Sequence, residues 1–373
     1  MRYISIIGCG FVADFYMRSF ELYDDISVRA VYDINPDRLS EFSRHWGLQT
    51  ASGLEELLEN GEQDEVVLNL TNPASHFDIT KICLHSGRHV YSEKPLAMSM
   101  AQAEELFSLA KRHNVYLASA PCSVLSESCQ TLWKAVRDRV VGKPMLVYAE
   151  LDDGLISQAP YRSWKSVSGA PWPFEDEFDV GCTIEHAGYY LTWLIAMFGP
   201  VRKVVAASAE LDRNKLAGSA TAPDFSVAVL YFDHDVVARL TCSIIARHNH
   251  SIRIISEDGS LELDECWNND AAVKIRRRRA IRRRLVEMPF SKRYRLAGPT
   301  HRKVKRMGAA AMNFALGPVE MLDAIAEKRT CRLSPELALH LNEVTLAIQG
   351  AGSTTGAIVM KTDCPPIEPA SWA

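Results

Sequence analysis

Residues 3–13 read YISIIGCGFVA: five mostly apolar, β-prone residues enter a glycine turn and then a helical pattern. Gly8 allows the tight turn, Gly10 lets a pyrophosphate approach the backbone, and Ala13 permits close packing of helix on strand. The helix start would add N–H groups and a positive dipole end, so Phe11 and Val12 join the two glycines as cofactor-binding candidates. A second strand pattern ends at Asp33 in VYDINPDR, 20 residues past Ala13. A carboxylate there would accept hydrogen bonds from the adenosine ribose. It would also repel a 2′-phosphate, which favours NAD and leaves NADP possible through Arg38 nearby. The alternative for Arg38 is a solvated residue in a helix's first turn.

Outward from this unit, the first 120 residues alternate short β-rich runs with amphipathic segments, the rhythm of a parallel sheet covered by helices. Strands are expected at Tyr3 to Ile7, Val28 to Tyr32, Glu65 to Leu70, His89 to Ser92 and Val115 to Ala118. Helices are expected at Val12 to Leu22, Pro36 to Trp46, Gly53 to Glu59, His76 to Ser86 and Ser99 to Arg112, the last with a Ser99/Gln102 capping box. Beyond Pro121 a helix (Glu127 to Val141) precedes strand-like runs at Pro144 to Glu150, Val201 to Ser208, Ser226 to Phe232, Val236 to Ile244, Ile252 to Ser256 and Gly259 to Leu263. Runs without intervening helices imply a mainly antiparallel sheet, joined by helices at Thr183 to Phe198, Pro318 to Glu327 and Pro335 to Ala351. The expected fold is therefore a doubly wound α/β domain (1–120) followed by an α+β domain with a large, open, mainly antiparallel sheet (121–363). The tail 364–373 reads as frayed.

At 373 residues, 47% apolar and 24% charged, the chain has the composition of an ordinary two-domain globular protein. A net charge of -4 gives no global pull toward nucleic acid or anionic lipid. The amino terminus lacks a secretory h-region, which points to the cytoplasm, and the longest apolar stretch, Ala187 to Gly199, is too short to span a bilayer. Nine cysteines are scattered singly, with no Cys/His cluster at zinc spacing, so neither a disulfide framework nor a metal is expected.

The segment SEKPLAMS sets Glu93, Lys94 and Pro95 at the carboxyl end of an expected strand, the edge where open α/β sheets bind ligands. Removing a hydride from an alcohol builds alkoxide character on oxygen. A nearby ammonium stabilises that charge and lowers the pKa of a neighbouring acceptor.

Taken together, GCGFVA, VYDINPDR, TNPASH (71–76), SEKPLA and EHAGYYLTWLIAMFG (185–199) resemble the Gfo/Idh/MocA oxidoreductases over nearly the whole chain. The resemblance implies a Rossmann domain, an α/β domain whose open sheet often builds a homodimer or homotetramer, and action on sugars, polyols or nucleotide-sugars. It makes Lys94 the catalytic lysine, with Glu93 beside it, and sets Thr71, Asn72 and His76 at the nicotinamide end. The family's D-x-G-x-H-x-x-D pattern is altered: Glu185 stands at the first Asp, Tyr189 at the His and Thr192 at the last Asp. Tyr189 is then the acid/base, a role some family members give to Tyr, and Glu185, four residues earlier on the same helix face, orients substrate or lysine. A phenol with a pKa of about 10 needs a cation nearby to act at neutral pH, and Lys94 would supply it. A shifted register using His186 as the base remains open.

Ahead of that helix, APYRSWKSVSGAPWPFEDEF combines aromatic faces with polar tips suited to sugar rings. Arg162, Trp164, Lys165 and Trp172 are its substrate-binding candidates, with Glu185, His186, Tyr189 and Lys94. The bland alternative is a surface loop packed by its own aromatics. Lys274 to Arg284 (KIRRRRAIRRR) is the one strongly basic run and reads as a solvated strand and loop, ahead of a phosphate grip. It lacks the interleaved aromatics of a nucleic-acid surface. The competing function is a silent dinucleotide-binding sensor, motivated by the altered Glu185/Tyr189/Thr192 set.

Overall fold

In a computed structural model describing residues 1–216, 221–300, 304, 308–353 and 356–373, the chain opens with β1 (Arg2–Ile7), α1 (Ala13–Phe20), β2 (Ile26–Tyr32), α2 (Pro36–Trp46) and α3 (Leu54–Glu59). It continues through β3 (Val66–Asn69), α4 (His76–His85), β4 (His89–Ser92), α5 (Met100–His113) and β5 (Leu117–Ser119). The five strands form one parallel sheet in the order β2-β1-β3-β4-β5. All four residues of β3 are buried, as a strand covered on both faces requires. Local chemistry sets the helix ends. The Asn35 side chain accepts from the Asp37 and Arg38 amides before α2, which stops at Gly47 with φ 67°. Ser99 accepts from the Gln102 amide at 3.3 Å to begin α5.

Next come α6 (Glu127–Arg137), β6 (Pro144–Asp152), α7 (Phe174–Val180), α8 (Cys182–Phe198), β7 (Lys203–Ala209), β8 (Phe225–Tyr231), β9 (Val237–Ser243), β10 (Ile252–Ser256) and β11 (Gly259–Leu263). After them follow β12 (Val273–Ile281), β13 (Arg284–Glu287), β14 (Lys292–Tyr294), α9 (Leu316–Glu327), α10 (Pro335–Gln349) and β15 (Ile358–Val359). Among the described residues, β6 to β15 make one ten-stranded sheet, β13-β12-β11-β10-β6-β9-β8-β7-β15 with β14 on β12. Every pair in it is antiparallel except β6 with β9. The apolar stretch expected to be a buried helix is α8, whose residues from Cys182 to Ile195 are all buried.

The chain forms two compact units, and neither is continuous. The first holds Met1–Cys122, Ala159–Val180 and Asn313–Leu346; the second holds Ser123–Gln158, Gly181–Met312 and Ala347–Ala373. Thus the aromatic loop and two helices, assigned from the sequence to the second domain, fold with the first.

The basic run lies on β12, a turn through Arg282 (φ 56°) and β13, mostly exposed, with Arg276 bridged to Glu262 at 3.0 Å and Lys274 to Asp264. The tail from 364 lacks regular structure but is not frayed: Cys364 is buried, and the Ala370 amide donates to Gln130 Oε1 at 2.9 Å. All nine cysteines are buried, and none is joined to another by a disulfide. No helix among the described residues is long and apolar enough to cross a membrane.

Candidate active site

β1 delivers the chain into the turn at Gly8, where φ is 96° and a Cβ would lie 2.6 Å from the Leu70 carbonyl carbon and oxygen. Only glycine fits there on both counts. At Gly10, by contrast, nothing comes within 4 Å of where a Cβ would stand. No side chain caps α1 at Val12, although the Phe15 amide already donates to the Val12 carbonyl at 2.9 Å. An open approach to backbone and an uncapped helix start are what a pyrophosphate needs.

Between the two glycines, Cys9 is gripped from both sides. Its N–H donates to Asp33 Oδ2 at 2.7 Å, and its carbonyl accepts from Arg38 Nε at 3.1 Å. Arg38 also donates to Glu41 (2.7 Å), to the Ser168 carbonyl (3.2 Å) and to Ser168 Oγ (2.8 Å). Ser168 Oγ donates to Asp14 Oδ2 at 2.8 Å, and Trp46 Nε1 donates to Asp14 Oδ1 at 2.6 Å. The guanidinium is therefore committed to holding the turn and the 159–180 loop, not standing in solvent.

A second network fixes the carboxyl ends of β3 and β4. Buried Asn69 donates to the His76 carbonyl (3.1 Å) and to Thr80 Oγ1 (3.0 Å), and accepts from Thr71 Oγ1 (2.7 Å). His76 is buried with its ring between the Pro95 carbonyl (Nδ1, 2.7 Å) and the Thr71 carbonyl (Nε2, 2.9 Å). Burial pushes its pKa down, opposed by those two carbonyls and Glu93. His76 is thus a pin joining two loops. Glu93 is buried; Tyr16 donates to its Oε1 at 2.7 Å, and the Lys94 amide donates to its Oε2 at 3.1 Å. Half-buried Lys94 follows at the strand's end, with a cis bond to Pro95. Asn69 and Tyr16 were missed in the sequence because neither belongs to a motif.

In the 159–180 loop, Tyr161, Trp172 and Phe178 pack edge to face, Phe174 packs tilted against Tyr161, Trp164 meets Trp172 at 5.2 Å, and the Arg162 guanidinium sits 4.6 Å over Phe174. These side chains serve the loop's own packing, while Lys165 is exposed. Asn72 Nδ2 donates to Asp176 Oδ2 at 2.6 Å, tying the loop to the end of β3.

The second unit carries Glu185, His186, Tyr189 and Thr192 on α8. Thr192 Oγ1 donates to the Gly188 and Tyr189 carbonyls, so it serves its own helix. Tyr189 and His186, three residues apart, both meet Trp267, at 5.9 and 6.4 Å between ring centroids. His186 faces the Cys182 carbonyl with Nδ1 and Asp153 Oδ2 with Nε2, at 3.0 and 3.2 Å. Although no metal ligands were expected, Asp153 and the pair His248 and His250, from two separate segments, bring three donor atoms within 4.8 Å of one another. Spacing along the sequence could not show this, and Trp267 and Glu265 were missed for the same reason.

A family model described as an oxidoreductase family with an NAD-binding Rossmann fold matches residues 2–120, and one for the GFO/IDH/MocA C-terminal domain matches residues 129–262. The chain belongs to the Gfo/Idh/MocA family. This family member is 25% identical over 261 residues to the scyllo-inositol 2-dehydrogenase (NADP(+)) of Bacillus subtilis, covering 70% of this chain and 75% of that enzyme. With the myo-inositol 2-dehydrogenase of Thermotoga maritima it shares 28% identity over 143 residues, covering 38% of this chain but only 42% of that enzyme. Its fold is also that of the WlbA dehydrogenase of Bordetella pertussis, solved with NADH and UDP-GlcNAcA, at a TM-score of 0.73 and 19% identity over 97% of this chain and 98% of the other. The Gfo/Idh/MocA chain is thus an oxidoreductase with an NAD-binding Rossmann domain.

Proposed function

We propose that this protein transfers a hydride between NAD(P) and a secondary alcohol or ketone of a sugar, polyol or nucleotide-sugar. One observation carries the reading: Lys94 lies just past β4 on a segment held by three buried hydrogen-bonding side chains, Tyr16, Glu93 and His76. So rigid a mount suits a cation that must meet developing charge on a substrate oxygen. The kinds of substrate named for the two inositol dehydrogenases and for WlbA support the class.

Gly8, Gly10, Phe11, Val12, Asp33, Thr71 and Asn72 would hold the dinucleotide, whose nicotinamide supplies or takes the hydride. Arg38 is spent on Cys9, Glu41 and Ser168, so Asp33 stands without a spare guanidinium to welcome a 2′-phosphate, and NAD is the preferred form. The Lys94 ammonium stabilises negative charge on the substrate oxygen, and Tyr189 holds or releases its proton. Glu185 orients the substrate, with exposed Lys165 lining its approach. A panel of inositols, free sugars and UDP-sugars, followed by absorbance of the reduced nicotinamide, tests the proposal. Lys94-dependent turnover of at least one panel member is the expected result; NAD binding without turnover of any of them would contradict it.

A further inference from the structure

Hydride transfer leaves unused a histidine cluster in the second unit. His248 and His250 stand two apart on a bridging segment, so their rings share a side, with centroids 4.1 Å apart. Asn249 bridges Asp152 and His250 bridges Glu265, which brings Asp153 and Glu265 to the same rings. Glu265 accepts one imidazole N–H on each oxygen, from His250 Nδ1 at 3.0 Å and His248 Nε2 at 2.9 Å.

A neutral imidazole has a single N–H. Those two bonds therefore leave lone pairs on His250 Nε2 and His248 Nδ1, which lie 3.8 and 3.9 Å from Asp153 Oδ1. Both gaps are too long for hydrogen bonds. The His250 side chain is 0% exposed and its Nε2 has no hydrogen-bond partner, an orphan that a folded protein does not keep without cause. Three electron-pair donors face one another within 4.8 Å. Ligands about 2.0–2.2 Å from a zinc ion stand roughly 3.3–3.6 Å apart at tetrahedral angles, so the two histidine–aspartate distances are within a few tenths of an ångström of that spacing, and the two histidine nitrogens lie within 4.8 Å of each other.

We propose that Asp153, His248 and His250 bind one divalent transition-metal ion, zinc by ligand type. Glu265 acts as the carboxylate that fixes both imidazole tautomers, the usual outer partner of metal-bound histidine. Two imidazoles exclude magnesium and calcium, which take oxygen ligands. His186 Nε2, 3.2 Å from Asp153 Oδ2, steadies the third ligand. Three protein ligands leave a coordination position for water or a substrate oxygen. Trp267, 4.3 Å from the His250 ring and 5.9 Å from that of Tyr189, sets the site one aromatic ring from the proposed acid/base.

Titrating chelator-treated, full-length protein with Co²⁺ alone, then competing with Zn²⁺, tests this without reference to activity. One equivalent of cobalt should bind, with the strong visible bands of a four- or five-coordinate ion that zinc abolishes. Glu265→Gln should weaken binding roughly 10- to 100-fold, and His248→Ala, at a half-exposed position, should weaken it further with the thermal melt preserved. Tyr189→Phe should leave it unchanged. Absence of the cobalt spectrum in the wild type, or undiminished binding in both His248→Ala and Asp153→Asn, would overturn the proposal.

Discussion

The Tyr16 hydroxyl donates to Glu93 Oε1 across 2.7 Å, so a helix residue next to the glycine turn holds the residue that precedes Lys94. Burial, with Glu93 adding to it, raises the phenol's pKa well above its ordinary value and keeps it a donor. Tyr16→Phe strips a buried carboxylate of that bond, at a cost of about 1.5–3 kcal/mol. Urea denaturation should show the loss, and turnover should fall while NAD affinity stays within a few-fold.

The two turn glycines should fail differently. Gly8→Ala meets the Leu70 backbone at 2.6 Å with a left-handed φ, and should lower stability by on the order of 1–3 kcal/mol or more. Gly10→Ala has open space and no such φ. It should melt like the wild type and lose dinucleotide affinity, read by titration of NADH fluorescence.

Asp33 should set cofactor choice. Because Arg38 is committed elsewhere, Asp33→Asn should shift the NADP-to-NAD affinity ratio by roughly 10- to 100-fold, about 1.4–2.8 kcal/mol. Arg38→Ala should loosen the turn and weaken both cofactors together. Paired titrations with NADH and NADPH separate the two effects.

His76 gives a pH signature. Its folded pKa lies below the unfolded value of about 6.5. The unfolded state therefore binds the proton more readily, and stability present above about pH 6.5 is lost as pH falls toward the folded pKa. Wild-type melting temperature should drop over that window by more than that of His76→Gln. Parallel curves would contradict it.

How much of this was legible depended on how local the signal is. GCGFVA and the strand ending at Asp33 announce the nucleotide edge because a glycine turn, a helix start and a carboxylate are each short-range demands. The alternation of residues 1–120 likewise carries the parallel sheet. Interleaving of the units was hidden, since Ser168 reaches Arg38 and Asp14 by tertiary bonds across more than a hundred residues. Tyr16 and Asn69 look like ordinary core and strand residues until their partners are seen. Asp153, His248, His250 and Glu265 converge only once β6 and the segments after β9 and β11 are in place.

The role of Lys94 is tested most directly by single-turnover rates of the NAD-loaded enzyme, on a substrate taken from the panel, for wild type, Lys94→Ala, Tyr189→Phe and the double variant. The account expects each single change to slow hydride transfer by roughly 10²–10⁴-fold. If both groups serve one substrate oxygen, as proposed, the double variant should be little slower than the slower single. A Lys94→Ala protein that binds NAD and turns over at the wild-type rate would contradict it.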